Sequence, residues 1–215
     1  MNDMSGAPGA QHEHEFRRLF DFIAFTARLR EIERANNATA VRKESVAEHS
    51  WHLAMVSWIL HAEFEREAGQ CLDLTKMLKL CLMHDLVELD TGLDSGLDPE
   101  IDGDPDEDPF ATLPDTLRPE FLALWHEYEE GRTPEACLVR GVDRLNPALM
   151  RYLTGQGWHD MPTDANAAMD ADALDRLQLP RVAVSDTLRA LYEEVRDASV
   201  RRGLLIPAPQ TPAAP

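Results

Sequence analysis

Apolar residues recur at helical spacing along most of this chain, and this pattern constrains the fold more than any other feature of the sequence. Almost no stretch alternates apolar and polar residues with the period of two that is typical of strands. The sequence therefore predicts an all-α protein, with a turn at 36–43 after the first helix. The predicted helices lie at 13–35, 44–69, 73–90, 117–131, 133–154 and 180–202.

The helices are predicted to form one domain over residues 13–203, after a flexible N-terminus at 1–12. Residues 91–116 are rich in Gly, Pro and Asp, which predicts a solvated acidic loop. This loop lacks the glycine and glutamate placement of an EF-hand calcium site. The Pro/Ala-rich tail at 204–215 is predicted to be disordered.

Charge, hydropathy and cysteine content restrict the partners and the cellular location expected for this protein. The net charge of −18 argues against a nucleic-acid polymer, because no basic stripe is present to meet phosphates. No window approaches the roughly 18 consecutive apolar residues of a membrane span, and no signal-peptide pattern opens the sequence. The three cysteines form no CxxC motif, which favours a reducing compartment. We therefore expect a cytoplasmic protein.

The apolar segment LTKMLKLCLMHDLVEL, residues 74–89, contains His84 directly before Asp85. Burying an ionised carboxylate is costly unless a positive group accompanies it. A His-Asp contact near a solvated helix end would explain the pair, and so would a bound metal ion. Glu88 follows His84 by four residues and Asp85 by three, so the three side chains are predicted to share one helix face.

Two further residues interrupt apolar faces on other predicted helices. His49 lies in VAEHSWH, and Asp143 lies in LVRGVDRLNP. Three helices could bring these residues together with His84 and Asp85 around one divalent ion. Imidazole and carboxylate ligands suit Mn²⁺, Co²⁺, Fe²⁺, Zn²⁺ or Mg²⁺, and four protein ligands leave positions open for water and substrate. Spacing alone equally allows an ordinary core histidine and an Asp143 paired with a neighbouring arginine.

The order of these motifs resembles the HD-domain superfamily of metal-dependent phosphohydrolases. The strings RKESVAEHSWHLA, LCLMHDLVELDTG and EEGRTPEACLVRGVDRLNP are similar to its branch of nucleoside 5′-monophosphatases, and the similarity covers about residues 16–155. The resemblance implies an HD-domain helical bundle with a single buried divalent metal site, in a homodimer. It implies one set of metal ligands: His49, His84, Asp85 and Asp143.

The same resemblance assigns roles beyond the ligands. Glu88 matches the position that handles a proton, and Arg34 matches the arginine that holds the substrate phosphate. An ion pair with Glu31 on a helix face is the alternative for Arg34. Two-metal members of the superfamily carry two more histidines before the last aspartate, whereas only His126 lies there. His52 is therefore assigned to helix packing or to support of a mononuclear site.

Two departures from the branch concern catalysis and sugar preference. The branch carries Gly-Asp after the His-Asp helix, whereas this chain reads Gly-Leu-Asp at 92–94. Asp94 is the expected catalytic carboxylate, and Asp90 is the alternative. Ala35 stands where the branch has a tryptophan that helps to exclude the ribose 2′-hydroxyl. A preference for deoxynucleotides is therefore left open.

Together these features predict a metal-dependent phosphohydrolase with a small phosphorylated substrate. The favoured activity is release of phosphate from (deoxy)nucleoside 5′-monophosphates. A second interpretation keeps the fold and changes the phosphorylated substrate. A third is an HD module that senses a nucleotide without turnover. Glu88 favours an enzyme, because a protein that only binds has no need of a proton-handling carboxylate.

Overall fold

A computed structural model describes residues 8–86, 110, 113–158 and 169–208. Within these residues the chain is mainly helical, and a two-stranded antiparallel hairpin lies between its first two helices. The strands are β1 (Glu33–Thr39) and β2 (Arg42–Ser45), and a 3₁₀ turn at Ala27–Arg30 precedes them. The helices are α1 (Pro8–Thr26), α2 (Val46–Ala68), α3 (Leu74–Met83), α4 (Arg118–Glu130), α5 (Pro134–Thr154), α6 (Ala171–Val182) and α7 (Asp186–Arg201). The predicted all-α class is confirmed.

The hairpin corrects the predictions for residues 27–45. The helix predicted at 13–35 ends at Thr26, and most of the turn predicted at 36–43 lies in the two strands. Strand β1 reads ERANNAT, whose asparagines and threonine are poor helix formers. The strands bury polar side chains, including Asn36 and Glu44. This burial explains why no alternation of apolar residues marked the strands.

Helices α2 and α5 begin and end close to their predicted bounds, because local capping signals fix their ends. Ser45 and Glu48 form a capping box at the start of α2, and Gly69 ends the helix with a φ of 64°. Thr133 caps α5, and Pro134 occupies its first turn. Pro147 lies inside α5, where a proline removes one backbone hydrogen bond of the helix.

Helix α3 begins as predicted and ends earlier than predicted. Asp73 accepts a hydrogen bond from the backbone of Lys76 and caps the helix. The prediction of a helix to residue 90 is wrong from His84, where the chain enters a turn in which the Leu86 N–H donates to the Met83 carbonyl. The His84 ring lies 2.9 Å from the Cys81 carbonyl oxygen. In an uninterrupted helix this carbonyl would accept a backbone N–H hydrogen bond instead. Residues 87–90 lie outside the described part.

The C-terminal region forms two helices rather than the single predicted helix at 180–202. Pro180 lies inside α6, although a proline usually marks the start of a helix. Ser185 separates the two helices and caps α7. Packing continues to Leu205, which is buried, and the Ala171 N–H donates to the Ile206 carbonyl at 2.9 Å. Among the described helices, none has the length and apolar character needed to cross a membrane.

Among the described residues two apolar clusters form the core, and α2 and α3 contribute to both. Leu53 and Leu80 belong to the larger cluster, which also draws on α5, α6 and α7. Val46 and Met83 belong to the smaller one, which joins α1 to the segment before α4. His49 lies between Val46 and Leu53 along α2, and His84 directly follows Met83. The predicted metal ligands on these elements therefore sit where the two clusters meet.

Candidate metal centre

The described structure brings the four predicted ligands to one place. His49 extends from α2, His84 and Asp85 follow α3, and Asp143 extends from α5. His49 Nε2 lies 3.0 Å from Asp143 Oδ1 and 3.7 Å from Asp85 Oδ2. His84 Nε2 lies 3.0 Å from Asp85 Oδ1 and 3.9 Å from Asp143 Oδ1. Four polar side chains from three parts of the chain therefore converge at one place in the protein interior.

Burial makes this cluster suited to a cation. Ligand atoms of His49, His84 and Asp85 lie within 4.8 Å of one another, and all three residues are buried. The Asp143 side chain keeps 26% of its surface exposed, so solvent and a small molecule can approach from its side. A divalent ion would provide the positive charge that two close carboxylates require in a low dielectric.

The surroundings of His84 provide the test of whether a metal fits. Its Nδ1 faces the Cys81 carbonyl at 2.9 Å, so an N–H at Nδ1 donates to that oxygen. Its buried Nε2 faces the cluster, 3.0 Å from Asp85 Oδ1. Metal-binding histidines typically donate one ring N–H to a carbonyl or carboxylate while the other nitrogen binds the ion. The His84 ring therefore has the orientation of a ligand.

The ionisation of the cluster reflects burial and close charges. Burial opposes protonation of His84, but the negative charge of Asp85 raises the pKa of His84 to about 9. Burial lowers the pKa of His49, and this lowering prevails over the effect of Asp143. Burial would raise the pKa of Asp143, but hydrogen bonding to His49 and the charge of His84 lower it. Without a metal, a proton on His84 therefore balances part of the carboxylate charge.

Arg34 lies beside this cluster on β1. Its Nη1 is 2.8 Å from Asp85 Oδ2, and its Nε is 3.9 Å from Glu44 Oε2. The alternative for Arg34 was an ion pair with Glu31 on one helix face. Arg34 lies in strand β1, so the two residues do not share a helix. The side chain is only 10% exposed, which increases the strength of its charge interactions. Arg34 therefore places a cation directly beside the candidate metal centre.

Two neighbours of the ligands were missed by the sequence analysis. The Tyr128 hydroxyl donates to Asp143 Oδ2 at 3.2 Å, and Asn146 Nδ2 donates to His49 Nδ1 at 2.8 Å. The signal for Asn146 was available, since it lies three residues after Asp143 on the same apolar face. Tyr128 lies in the polar string HEYEEG, which gave no such signal. Glu88, Asp90 and Asp94 lie outside the described residues, so their predicted roles stay predictions.

Comparison with known proteins defines the class to which this fold and site belong. The profile of the HD domain family matches residues 26–95 and 104–178. The chain belongs to the HD domain family. A predicted metal-dependent phosphohydrolase from Magnetospirillum magnetotacticum MS-1 is 30% identical, with a TM-score of 0.67, and the match covers 90% of this chain and 99% of that chain. An HD-domain phosphohydrolase from Listeria innocua, 18% identical with a TM-score of 0.58, shares the fold over 86% of this chain and 92% of its own.

Curated relatives carry the name of the predicted branch. The 5′-deoxynucleotidase HDDC2 of Dictyostelium discoideum is 28% identical in an alignment of 142 residues, with coverage of 61% of this chain and 75% of the relative. The human protein of the same name is 26% identical in an alignment of 145 residues, with coverage of 63% of this chain and 68% of the relative. The predicted resemblance to HD-domain phosphohydrolases is therefore confirmed. Family membership and the His/His/Asp cluster imply a divalent metal ion as cofactor.

Proposed function

We propose that this protein is a metal-dependent phosphomonoesterase that releases phosphate from (deoxy)nucleoside 5′-monophosphates. The observation that carries the proposal is the buried group of His49, His84 and Asp85, with the partly exposed Asp143 and with Arg34 beside it. A pair of histidines and a pair of aspartates can bind an ion, and a neighbouring guanidinium can bind an anion. The names of the HDDC2 relatives support a nucleotide as the substrate.

In this proposal His49, His84, Asp85 and Asp143 hold one divalent ion. Their mixed nitrogen and oxygen donors are compatible with Mn²⁺, Co²⁺, Fe²⁺, Zn²⁺ or Mg²⁺. When bound, such an ion polarises a phosphoryl oxygen and increases the acidity of water. Tyr128 keeps the Asp143 carboxylate oriented through its hydrogen bond to Oδ2.

Arg34 is proposed to bind the substrate phosphate. A guanidinium carries five N–H donors, so pairing with Asp85 through Nη1 is compatible with simultaneous contact to phosphate oxygens. Glu88 is proposed to transfer a proton during hydrolysis, and Asp94, or Asp90 in its place, to assist. Cytoplasmic location, a homodimer and the absence of a nucleic-acid polymer as a partner are also part of the proposal.

A phosphate-release screen tests this function. Purified protein is treated with a chelator and supplied with Mn²⁺, Co²⁺ or Mg²⁺ separately, against ribo- and deoxynucleoside 5′-monophosphates, a nucleoside triphosphate, a cyclic nucleotide and a sugar phosphate. We expect metal-dependent release from the 5′-monophosphates, with loss of release in Asp143→Asn. Release only from another phosphorylated compound would change the substrate class. Nucleotide binding without turnover under any metal would identify a sensor instead.

A further inference from the structure

The His49 imidazole is held by α5 through both of its ring nitrogens. Nε2 lies 3.0 Å from Asp143 Oδ1, and Nδ1 accepts a hydrogen bond from Asn146 Nδ2 at 2.8 Å. Asp143 and Asn146 are three residues apart and therefore project from one helix face. His49 is fully buried and Asn146 is 1% exposed, so bulk water does not compete for these contacts.

The Asn146 amide also contacts a second histidine. Its Oδ1 lies 3.0 Å from His52 Nδ1, one helical turn from His49 on α2. His52 is partly exposed and borders a cavity between the hairpin and α5. One buried amide therefore bridges two consecutive histidines on the same face of α2, and only His49 belongs to the candidate metal centre.

The observed contacts define the tautomer of a neutral His49. Because the amide nitrogen donates to Nδ1, the ring proton lies on Nε2 and is donated to Asp143. For Nε2 to bind an ion, the ring proton must lie on Nδ1, where it needs an acceptor. Rotating the Asn146 amide by about 180° presents Oδ1 to His49 and Nδ2 to His52 without moving either helix.

We propose that Asn146 is a positioning residue for His49. Its amide holds the ring in place and forms a hydrogen bond with Nδ1 in either tautomer, so that Nε2 can bind the metal. This proposal rests on the proposed metal centre. Asparagine meets the requirement because its side chain offers both a donor and an acceptor. An aspartate would offer only acceptors, and an alanine would offer neither.

Metal titration of the protein tests this role without any substrate. The affinity of chelator-treated protein for Mn²⁺ and Co²⁺ is measured by calorimetry for the wild type, Asn146→Ala and Asn146→Asp. We expect Asn146→Ala to bind about 10–100-fold more weakly, as is typical when the partner of a ligating histidine is lost. Asn146→Asp should bind at least tenfold more tightly than Asn146→Ala, because it can still accept the proton of Nδ1.

The control is Gln178→Ala, which removes another buried amide from α6, a helix that carries none of the site residues. Its metal affinity should equal that of the wild type. A purely structural role for Asn146 would instead weaken binding equally in the alanine and aspartate variants. Wild-type affinity in a folded Asn146→Ala variant would overturn the proposal and leave the proposed phosphatase activity untouched.

A measurement on the wild type covers the case in which the alanine variant does not fold. Nitrogen-15 NMR of the histidine rings reports which nitrogen carries the proton. We expect the His49 proton on Nε2 in metal-free protein and on Nδ1 after addition of Zn²⁺. A His49 ring with the same tautomer before and after binding would overturn the exchange of roles assigned to Asn146.

Discussion

Arg34 on β1 and Asp85 after α3 form a 2.8 Å ion pair inside the protein. The pair joins the proposed phosphate site to the candidate metal centre, because Asp85 is also 3.7 Å from His49 Nε2. Both side chains are about one-tenth exposed, so their interaction is weakly screened by salt. The short hairpin therefore places a cation at the edge of the candidate metal centre, whose other residues come from the helical part of the chain.

Replacing Arg34 should separate substrate binding from metal binding. We expect Arg34→Ala to raise KM and to lower kcat by about 10²–10³-fold, since a donor to the transferred phosphate is lost. The affinity for Mn²⁺ should not fall, because a neighbouring positive charge is removed. Steady-state kinetics and calorimetry measure the two effects. The exposed Arg66→Ala variant is the control, and unchanged turnover in Arg34→Ala would remove Arg34 from the phosphate site.

Metal binding should depend on pH through His84. The raised pKa of about 9 means that this ring is protonated at neutral pH in the metal-free protein and must lose its proton to bind an ion. The apparent affinity for Mn²⁺ should rise about tenfold per pH unit towards pH 9 and then level off. Calorimetry across this range measures it. A flat profile would contradict protonation of His84 in the metal-free protein, and His61→Asn should keep the wild-type slope.

The same shift predicts the pH dependence of metal-free stability. A histidine whose folded pKa exceeds its ordinary value of 6.5 stabilises the fold fully below that value. The contribution is lost as pH rises from about 6.5 through about 9. Urea unfolding of chelator-treated protein should therefore show a free energy of unfolding that declines over this range, with a smaller decline in His84→Asn. Equal declines in both proteins would assign the effect to other groups.

The Glu88→Gln variant distinguishes an enzyme from a module that only binds nucleotides. Glu88→Gln preserves size and helix propensity, so nucleotide affinity should be nearly unchanged. If Glu88 transfers a proton in the transition state, turnover should fall about 10²–10⁴-fold. Single-turnover phosphate release and equilibrium binding measure the two quantities. The exposed Glu129→Gln variant is the control, and undiminished turnover in Glu88→Gln would exclude Glu88 from the mechanism.

The Glu67 side chain on α2 should stabilise the fold, because it caps the N-terminus of α7. Its carboxylate accepts hydrogen bonds from the Ser185 hydroxyl and from the backbone of Asp186 and Thr187 at the start of α7. Glu67→Ala should lower the free energy of unfolding by about 1 kcal/mol, the usual value of a lost cap. Glu63→Ala, which removes only an exposed pair with Arg66, should change it by less than about 0.5 kcal/mol.

The effect of Glu67 should also depend on pH. Burial would raise the pKa of this carboxyl, but the hydrogen bonds from α7 lower it below its ordinary value of 4.5. A lowered folded pKa means that the stabilisation is present above the ordinary value and is lost as pH falls through the folded pKa. The difference between wild type and Glu67→Ala should therefore shrink in acid. A difference that grows in acid would contradict this assignment.

Prediction from sequence succeeded where residues obey local rules. Helix α2 follows from its apolar period, from Ser45 at its start and from Gly69 at its end. The convergence of His49 and Asp143 followed from the resemblance, because spacing along single helices cannot show which helices meet. In the structure His49 is buried and lies 3.0 Å from Asp143. This contact is compatible with both residues binding one ion.

The missed features depend on contacts between distant segments. The hairpin buries polar groups such as Glu44 against helices, so its strands have no apolar alternation to detect. Tyr128 reaches Asp143 only because α4 and α5 are adjacent in space. Asn146 directly precedes a proline, and its two histidine partners lie 94 and 97 positions away along the chain.

Anomalous diffraction from crystals grown with Mn²⁺ shows directly which residues bind the ion. We expect one manganese peak, roughly 2.0–2.3 Å from donor atoms of His49, His84, Asp85 and Asp143. We also expect that the peak disappears in Asp143→Asn or falls well below full occupancy. A manganese ion bound elsewhere, or no ion in a site where Asp143 turns to solvent, would contradict the assignment of these four residues to one metal centre.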